Sequence, residues 1–325
     1  MTSKERVYAA IEFKNPDRIP FKVDSISPEA INDIDYADLV KEIENDFVHN
    51  PVGWYYEGCK LGTNSDEWGC TWWNLKEGNL GQVVGHPLAD ISALSTYNWP
   101  KPEDIDLLSA VNDSQQRGDK YFLLGYISIF ERLINLRGFE NLLIDIVCEE
   151  EHFLKMLELV LDHNIKLIER LLKLDPDGIF LADDWGTQLA LLISPDLWKK
   201  HFYPAYKRMI DLILNAGKHV FFHSDGNVTA ILPDLVNLGV NVFWIEYYVN
   251  KIDWVVANFG GKVAFLSLAD TQTIELGTPQ DIEKQTKEEI SLLGRFNGGL
   301  IACIYLEHNE RYKALTKAFV EYRNY

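Results

Sequence analysis

The residues best suited to chemistry lie at His223-Ser224-Asp225-Gly226-Asn227. His223 directly follows the apolar run Val220-Phe221-Phe222, so it closes a strand-like segment. If the strand continues, alternation puts Asp225 on the same side as His223. A His-x-Asp pair can give a metal one nitrogen and one oxygen, or let the carboxylate orient the imidazole. Spacing alone allows a core histidine as well. Other acids and phenols close other apolar runs: Tyr126, Asp183-Asp184 before Trp185, Glu246 before Tyr247, Asp270 before Gln272, and Glu307. Asp183 and Asp184 are adjacent and point opposite ways in a strand, so one enters a site and the other caps or pairs with a helix. Each acid taken singly is as readily a solvated turn. The set, with a histidine inside an apolar run, favours function. There is no nucleophile-elbow serine, HExxH motif or P-loop.

The elements that must position these residues are regular from about residue 120. Apolar strand-like runs at 121–127, 178–184, 219–224, 241–247, 262–268 and 300–306 alternate with helical runs near 138–147, 151–174, 194–216, 229–238, 250–258 and 278–293. A last helix is expected near 308–322. Ser194-Pro195 and Thr278-Pro279 place a capping hydroxyl before a proline at the first helical position. Gly217 and Gly239 stand where helices stop. Together with an early strand at 17–24, the pattern predicts an α/β fold, a (β/α)₈ TIM barrel. A doubly wound sheet is the competitor, but the glycine-rich phosphate turn after its first strand is missing. We expect one domain over 1–325. About 1–110 form an irregular N-terminal extension with cap elements, and about 120–325 form the βα units. The Trp-, Gly- and Tyr-rich stretch 50–100 is expected to cover one end of the body. In a barrel the site forms at the C-terminal strand ends, where the acids above gather.

Whole-chain properties narrow the function. The chain has 325 residues and a formal net charge of −18, with no dominant Lys/Arg cluster. This disfavours nucleic acid. Cys59, Cys70, Cys148 and Cys303 form no CxxC pair, which suits a reducing compartment. No signal peptide and no bilayer-length apolar run is visible, so a cytoplasmic location is expected.

The run Phe222-His223-Ser224-Asp225-Gly226-Asn227, with Ile231-Leu232-Pro233-Asp234-Leu235 and Gly239-Val240, resembles the uroporphyrinogen decarboxylase superfamily. That superfamily includes methylcobamide:coenzyme M methyltransferases. Similar matches are Asp183 to Gln188 with Ser194-Pro195, Leu136-Arg137-Gly138-Phe139-Glu140, Asp270-Thr271-Gln272 before Gly277-Thr278-Pro279, Gly298-Gly299, Asp17-Arg18-Ile19-Pro20 and Asp66-Glu67-Trp68-Gly69. The resemblance spans nearly the whole chain and implies a (β/α)₈ barrel. It also implies where the chain departs from its relatives. True decarboxylases grip substrate carboxylates with an N-terminal Arg-Gln-Ala-Gly-Arg motif, whereas the stretch here is Phe21-Lys22-Val23-Asp24-Ser25-Ile26-Ser27-Pro28-Glu29. The methyltransferase branch binds zinc through His-x-Cys and a later Cys. His223 matches the histidine, Asp225 stands at the first Cys, and Gly298-Gly299 brings Tyr305, rather than Cys303, nearest the second.

Replacing thiolates by oxygen donors makes a harder site, better suited to polarising an oxygen than to keeping a sulfur nucleophilic. The expected function is therefore methyl transfer between a small, aromatic methoxy type of substrate (O-demethylation) and a corrinoid carried by a partner protein. His223, Asp225 and Asp183 are the expected catalytic groups. His223, Asp225, Glu246 and Glu307 are the expected zinc ligands. Tyr126, Asp184, Trp185, Glu246, Tyr247, Asp270, Gln272 and Trp68 are expected to line the substrate site, with Trp244 and Tyr248 adding aromatic surface. The alternatives are a decarboxylase acting on a porphyrinogen or smaller acid, and a non-catalytic ligand-binding barrel.

Overall fold

The computed structural model describes residues 1–27 and 39–324. Pro28 and Glu29 of the N-terminal stretch discussed above fall outside them. Eight strands form one sheet: β1 (Phe21–Ile26), β2 (Phe47–Asn50), β6 (Tyr121–Ile127), β7 (Gly178–Ala182), β8 (His219–Ser224), β9 (Val242–Ile245), β10 (Ala264–Ser267) and β11 (Leu300–Leu306). From β2 to β11 each pairs in parallel with the next of these strands in chain order, and β11 pairs with β1, so the sheet curls into a barrel that is nearly closed at β1 and β2. At the β1–β2 seam Asp46 N–H donates to Phe21 O at 2.8 Å, and Asn45 Oδ1 accepts from both Val23 and Phe47 N–H. A small antiparallel sheet, β3 (Gly62–Ser65), β4 (Thr71–Asn74) and β5 (Gln82–Gly85), belongs to the N-terminal extension.

The expected strands at 121–127, 219–224 and 300–306 form with those bounds. The early strand starts later than expected, at Phe21, because Asp17 and Arg18 are engaged in ion pairs below it. Strand β2 lies outside the expected strands. It is four residues long, and its neighbourhood carries no alternation that sets it apart from loop.

Alternation sorts the strand residues into two cores. Outward residues such as Phe122, Ile179, Phe222 and Phe243 pack under the helices. Inward residues, Tyr121, Leu123, Phe180, Ala182, Phe221, Val242, Leu266, Ile301 and Cys303, fill the barrel. Helix α1 (Ser3–Ile11) plugs the N-terminal end with Val7, Ala10 and Ile11. It starts at a reciprocal cap: Thr2 Oγ1 accepts from Glu5 N–H, and the Glu5 carboxylate accepts from Thr2 N–H. The remaining helices named below are α2 (Leu108–Gln116), α3 (Phe130–Arg137), α4 (Phe139–Val147), α5 (Glu151–Leu172), α6 (Pro195–Asn215), α7 (Leu232–Leu238), α8 (Ile252–Phe259), α9 (Thr271–Leu276), α10 (Pro279–Leu293) and α11 (Glu310–Glu321). α6 and α10 carry the expected Ser194 and Thr278 caps. No described helix is long and apolar enough to cross a membrane. The four cysteines are unpaired.

Candidate active site at the barrel mouth

The inward set of each strand continues past its C-terminal end, and this places the polar groups. On β7, Phe180 and Ala182 face inward, so Asp184 follows them into the mouth and Asp183 turns outward. On β8, Phe221 faces inward and His223 follows. On β9, Val242 and Trp244 lead to Glu246. A cavity of about 400 Å³ opens there. Among its lining residues are five carboxyl groups, Glu131, Asp184, Asp225, Glu246 and Asp270, and no lysine or arginine.

His223 is the best-held member. Its Nδ1 lies 3.0 Å from Trp244 O, an acceptor only, so Nδ1 carries the proton and donates. Nε2 then presents its lone pair to Asp184 Oδ1 and Asp225 Oδ1, each 3.6 Å away. One ligand atom from each of the three residues lies within 4.8 Å of the other two. A lone pair facing two carboxyl groups is relieved by a cation or a proton between them. The set of one imidazole and two carboxylates, with the outer nitrogen fixed by a carbonyl, fits a divalent metal such as zinc. Desolvation pushes Asp225 above the usual carboxylate range. Asp184 and Glu246 push it the same way, while His223 opposes them.

The loops after β7 and β8 are drawn together by backbone. Asp225 N–H donates to Asp184 Oδ1 at 2.9 Å, Gly186 N–H to Asp225 O at 3.2 Å, and Asn227 N–H to Thr187 O at 2.7 Å. Gly226 sits at φ +76°, and a Cβ there would lie 2.3 Å from the carbonyl carbon of Gly186. Only glycine permits both the conformation and the approach. Glu246 accepts from Gly226 N–H at 2.8 Å, and buried Asn250 ties Gly226 O to Glu246 O. Gln272 reaches Gln188, which reaches Glu246, so a polar strap crosses the rim.

The other expected site residues separate into two groups. Tyr126, Asp184, Glu246, Tyr247 and Asp270 line the cavity. Tyr247 gives its hydroxyl to Phe243 O and Leu266 O, and Asp270 caps α9 through Thr273 N–H. The rest are turned elsewhere. Asp183 is fully buried and accepts from Ile129 N–H, Glu131 N–H and Tyr206 O–H, which pins the start of α3 to β7. Burial nevertheless pushes it up to about 7. Trp185 stacks on Phe130 at 4.0 Å and donates to Tyr206, so it is core. Trp68 is buried in the N-terminal extension against His163 and the Arg132 guanidinium. Glu307 accepts from Ser25 Oγ, away from the cavity lining. Tyr305 lines the cavity, and Cys303 lies below it with its thiol 3.1 Å from Asp24 Oδ2.

Three features escaped the sequence. Glu131 enters the cavity from the first turn of α3. It lies four residues beyond the end of β6, and its only signal is an acid directly after Ile129-Phe130. Asn250 is a clamp with no motif. Lys22 and Asp24 form an ion pair inside the barrel, with the Lys22 ammonium 5.4 Å from the centre of the Trp244 ring. Alternation along β1 could have signalled the pair.

Residues 120–302 match the uroporphyrinogen decarboxylase (URO-D) family, and the chain belongs to that family. It is 22% identical over 315 residues to the methylcobamide:CoM methyltransferase MtbA of Methanosarcina mazei, covering 88% of each chain. Its fold superposes on a methyltransferase from Methanosarcina mazei with a TM-score of 0.68 at 17% identity, covering 99% of each chain. The likeness of fold extends to the N-terminal extension as well as the barrel.

Proposed function

We propose that this chain transfers a methyl group between an oxygen-bearing small molecule, of the methyl aryl ether class, and the cobalt of a corrinoid carried by a partner protein. The observation that carries this reading is the convergence of Asp184, His223 and Asp225, with an oxygen donor where the methyltransferase branch has a thiolate. Similarity to a methylcobamide:CoM methyltransferase supports the methyl-transfer class. A divalent metal bound by these three residues would supply positive charge to polarise an ether oxygen.

The protein's own residues have separate tasks. Trp54, Tyr126, Trp244 and Tyr305 offer ring surfaces that suit an arene. Trp244 packs against His223 at 4.9 Å and Tyr126 against Trp54 at 4.3 Å, so these walls are braced rather than loose. Asp184 and Asp225 flank the imidazole edge. A porphyrinogen, with its many carboxylates, would meet a cavity lined by acids without a basic partner, which disfavours decarboxylation of that substrate. The test is metal analysis of the purified chain. Close to one zinc per chain is expected, falling by well over half in Asp184→Ala, His223→Ala and Asp225→Ala. A metal-free wild type that is fully active would overturn the metal's role.

A further inference from the structure

Glu131 is a carboxyl group to which no task has yet been given. Its backbone N–H is fixed at 2.9 Å by Asp183, so the first turn of α3 cannot swing away from β7. Its side chain lines the cavity that holds Asp184, His223 and Asp225. One of its oxygens, Oε2, is shut off from solvent and has no hydrogen-bond partner. The nearest cation in sequence, Arg132, is already used: its guanidinium pairs with Asp66 at 3.2 Å and lies over the Tyr55 and Trp68 rings. The groups that bear on Glu131 from the surrounding elements are Tyr126 on β6, Asp183 and Asp184 after β7, Asp225 after β8, Tyr206 on α6 and Tyr55 in the extension. Three are carboxyls and three are phenols, and the positive charge that bears on Glu131 is that of Arg132 on its own helix. Burial, followed by Asp184 and Asp183, holds the Glu131 carboxyl well above the usual range, against Arg132. A carboxyl in the first turn of a helix ordinarily gains from ionising there. Here burial and its acidic neighbours outweigh that gain.

We propose that Glu131 is the acid that protonates the leaving oxygen as the methyl group departs, a step that rests on the methyl-transfer reading above. The methyl carbon–oxygen bond breaks and its electron pair stays on oxygen. The methyl group bonds to the methyl acceptor, the reduced corrinoid of the partner protein, which supplies the electron pair of the new bond. The Glu131 proton passes to the oxygen, giving a neutral phenol and a Glu131 carboxylate. The carboxylate regains its proton from solvent through the cavity mouth.

The test uses the full chain with cob(I)alamin and two probe ethers, 2-methoxyphenol and 4-nitroanisole. Glu131→Gln keeps the shape and removes the proton. It should lower kcat for 2-methoxyphenol by about 100-fold or more, the usual span of general acid catalysis. For 4-nitroanisole, whose phenolate leaves easily, the loss should be under about 10-fold, because little protonation is needed there. KM and bound metal should match the wild type, and the melting temperature should equal or exceed it. An equal loss with both ethers, an unchanged rate with 2-methoxyphenol, or loss of metal from Glu131→Gln would each overturn the assignment. If the wild type demethylates neither ether, the methyl-transfer reading fails and the assignment falls with it. If the wild type is active and Glu131→Gln is equally active, the assignment alone fails.

Discussion

The two ends of this barrel treat charge in opposite ways. At the N-terminal end every buried acid has a base. Asp46 is fully buried and accepts from Arg6 at 2.6 Å, from Arg18 at 2.8 Å and from Phe21 N–H. Asp17 holds the other side of Arg6, and Asp177 pairs with Lys4 at 2.6 Å. At the C-terminal end Asp184, Asp225, Glu246 and Glu131 face one cavity, and no ion pair to a lysine or arginine forms there among the described residues. Breaking a satisfied network destabilises, whereas like charges gathered without a base store unfavourable energy that a bound cation or a proton relieves. The closed end therefore reads as stability, and the open end as a candidate binding site held at a cost to stability. This division is the one expected of a barrel enzyme.

That contrast can be broken or sharpened by substitution at either end. Asp46→Ala should have the largest effect, a loss of about 3–5 kcal/mol in urea unfolding, because buried Arg6 and half-buried Arg18 each lose an acidic partner and Phe21 N–H loses its acceptor. Metal content of the folded fraction should not change. If bound metal falls with stability, the two ends are not separable. Gly226→Ala comes next. A Cβ would meet the Gly186 backbone at 2.3 Å in a left-handed conformation, so the mouth loops must part. We expect a loss of about 2 kcal/mol or more, with metal affinity reduced as well. Equal affinity would show that the loop crossing does not set the site.

A pH effect of intermediate size is expected from Glu289, which lies fully buried against β10 and accepts from the Ser267 hydroxyl. Burial pushes it up to about 7, so the folded chain keeps a proton that the unfolded chain has lost. Its contribution is complete below the unfolded carboxyl range of about 4 and is lost as pH rises through about 7. Stability should fall over that window, and Glu289→Gln should flatten the fall. A pH profile unaltered by Glu289→Gln would contradict this. The smallest effect belongs to Asp225→Asn at the half-open mouth. Without metal it should leave stability unchanged or raise it by less than about 1 kcal/mol, while weakening metal binding. A clear loss of stability without metal would mean that the mouth is built like the closed end.

The sequence carries the barrel better than it carries the site. Strands β6, β8 and β11 are long apolar runs ended by polar residues, so their bounds are legible. Strand β2 is not, because its four residues, Phe47 to Asn50, depend on β6 for their pairing and have no pattern of their own. The helix expected at 138–147 is α4, but α3, Phe130 to Arg137, lies outside every expected helix, and Gly138 separates the two. At the cavity, alternation assigns one of Asp183 and Asp184 to the lining without saying which one. That depends on strand phase, set by Phe180 and Ala182 facing inward. Trp185 and Trp68 show why aromatic content is a poor guide to a substrate wall: both are consumed by packing. Glu131 was illegible for a different reason. Its role depends on where α3 begins, and Asp183 decides that from 52 residues away in sequence.

The most direct test of the central claim is anaerobic spectroscopy of cob(I)alamin with the full chain, zinc and 2-methoxyphenol. The account predicts loss of the cob(I)alamin spectrum and appearance of methylcobalamin with the wild type. With His223→Ala the rate should fall by about 100-fold or more, with the fold and the melting temperature retained. Methyl transfer by His223→Ala at the wild-type rate would contradict the account. So would carbon dioxide release from a carboxylated substrate by the wild type with no change in the corrinoid.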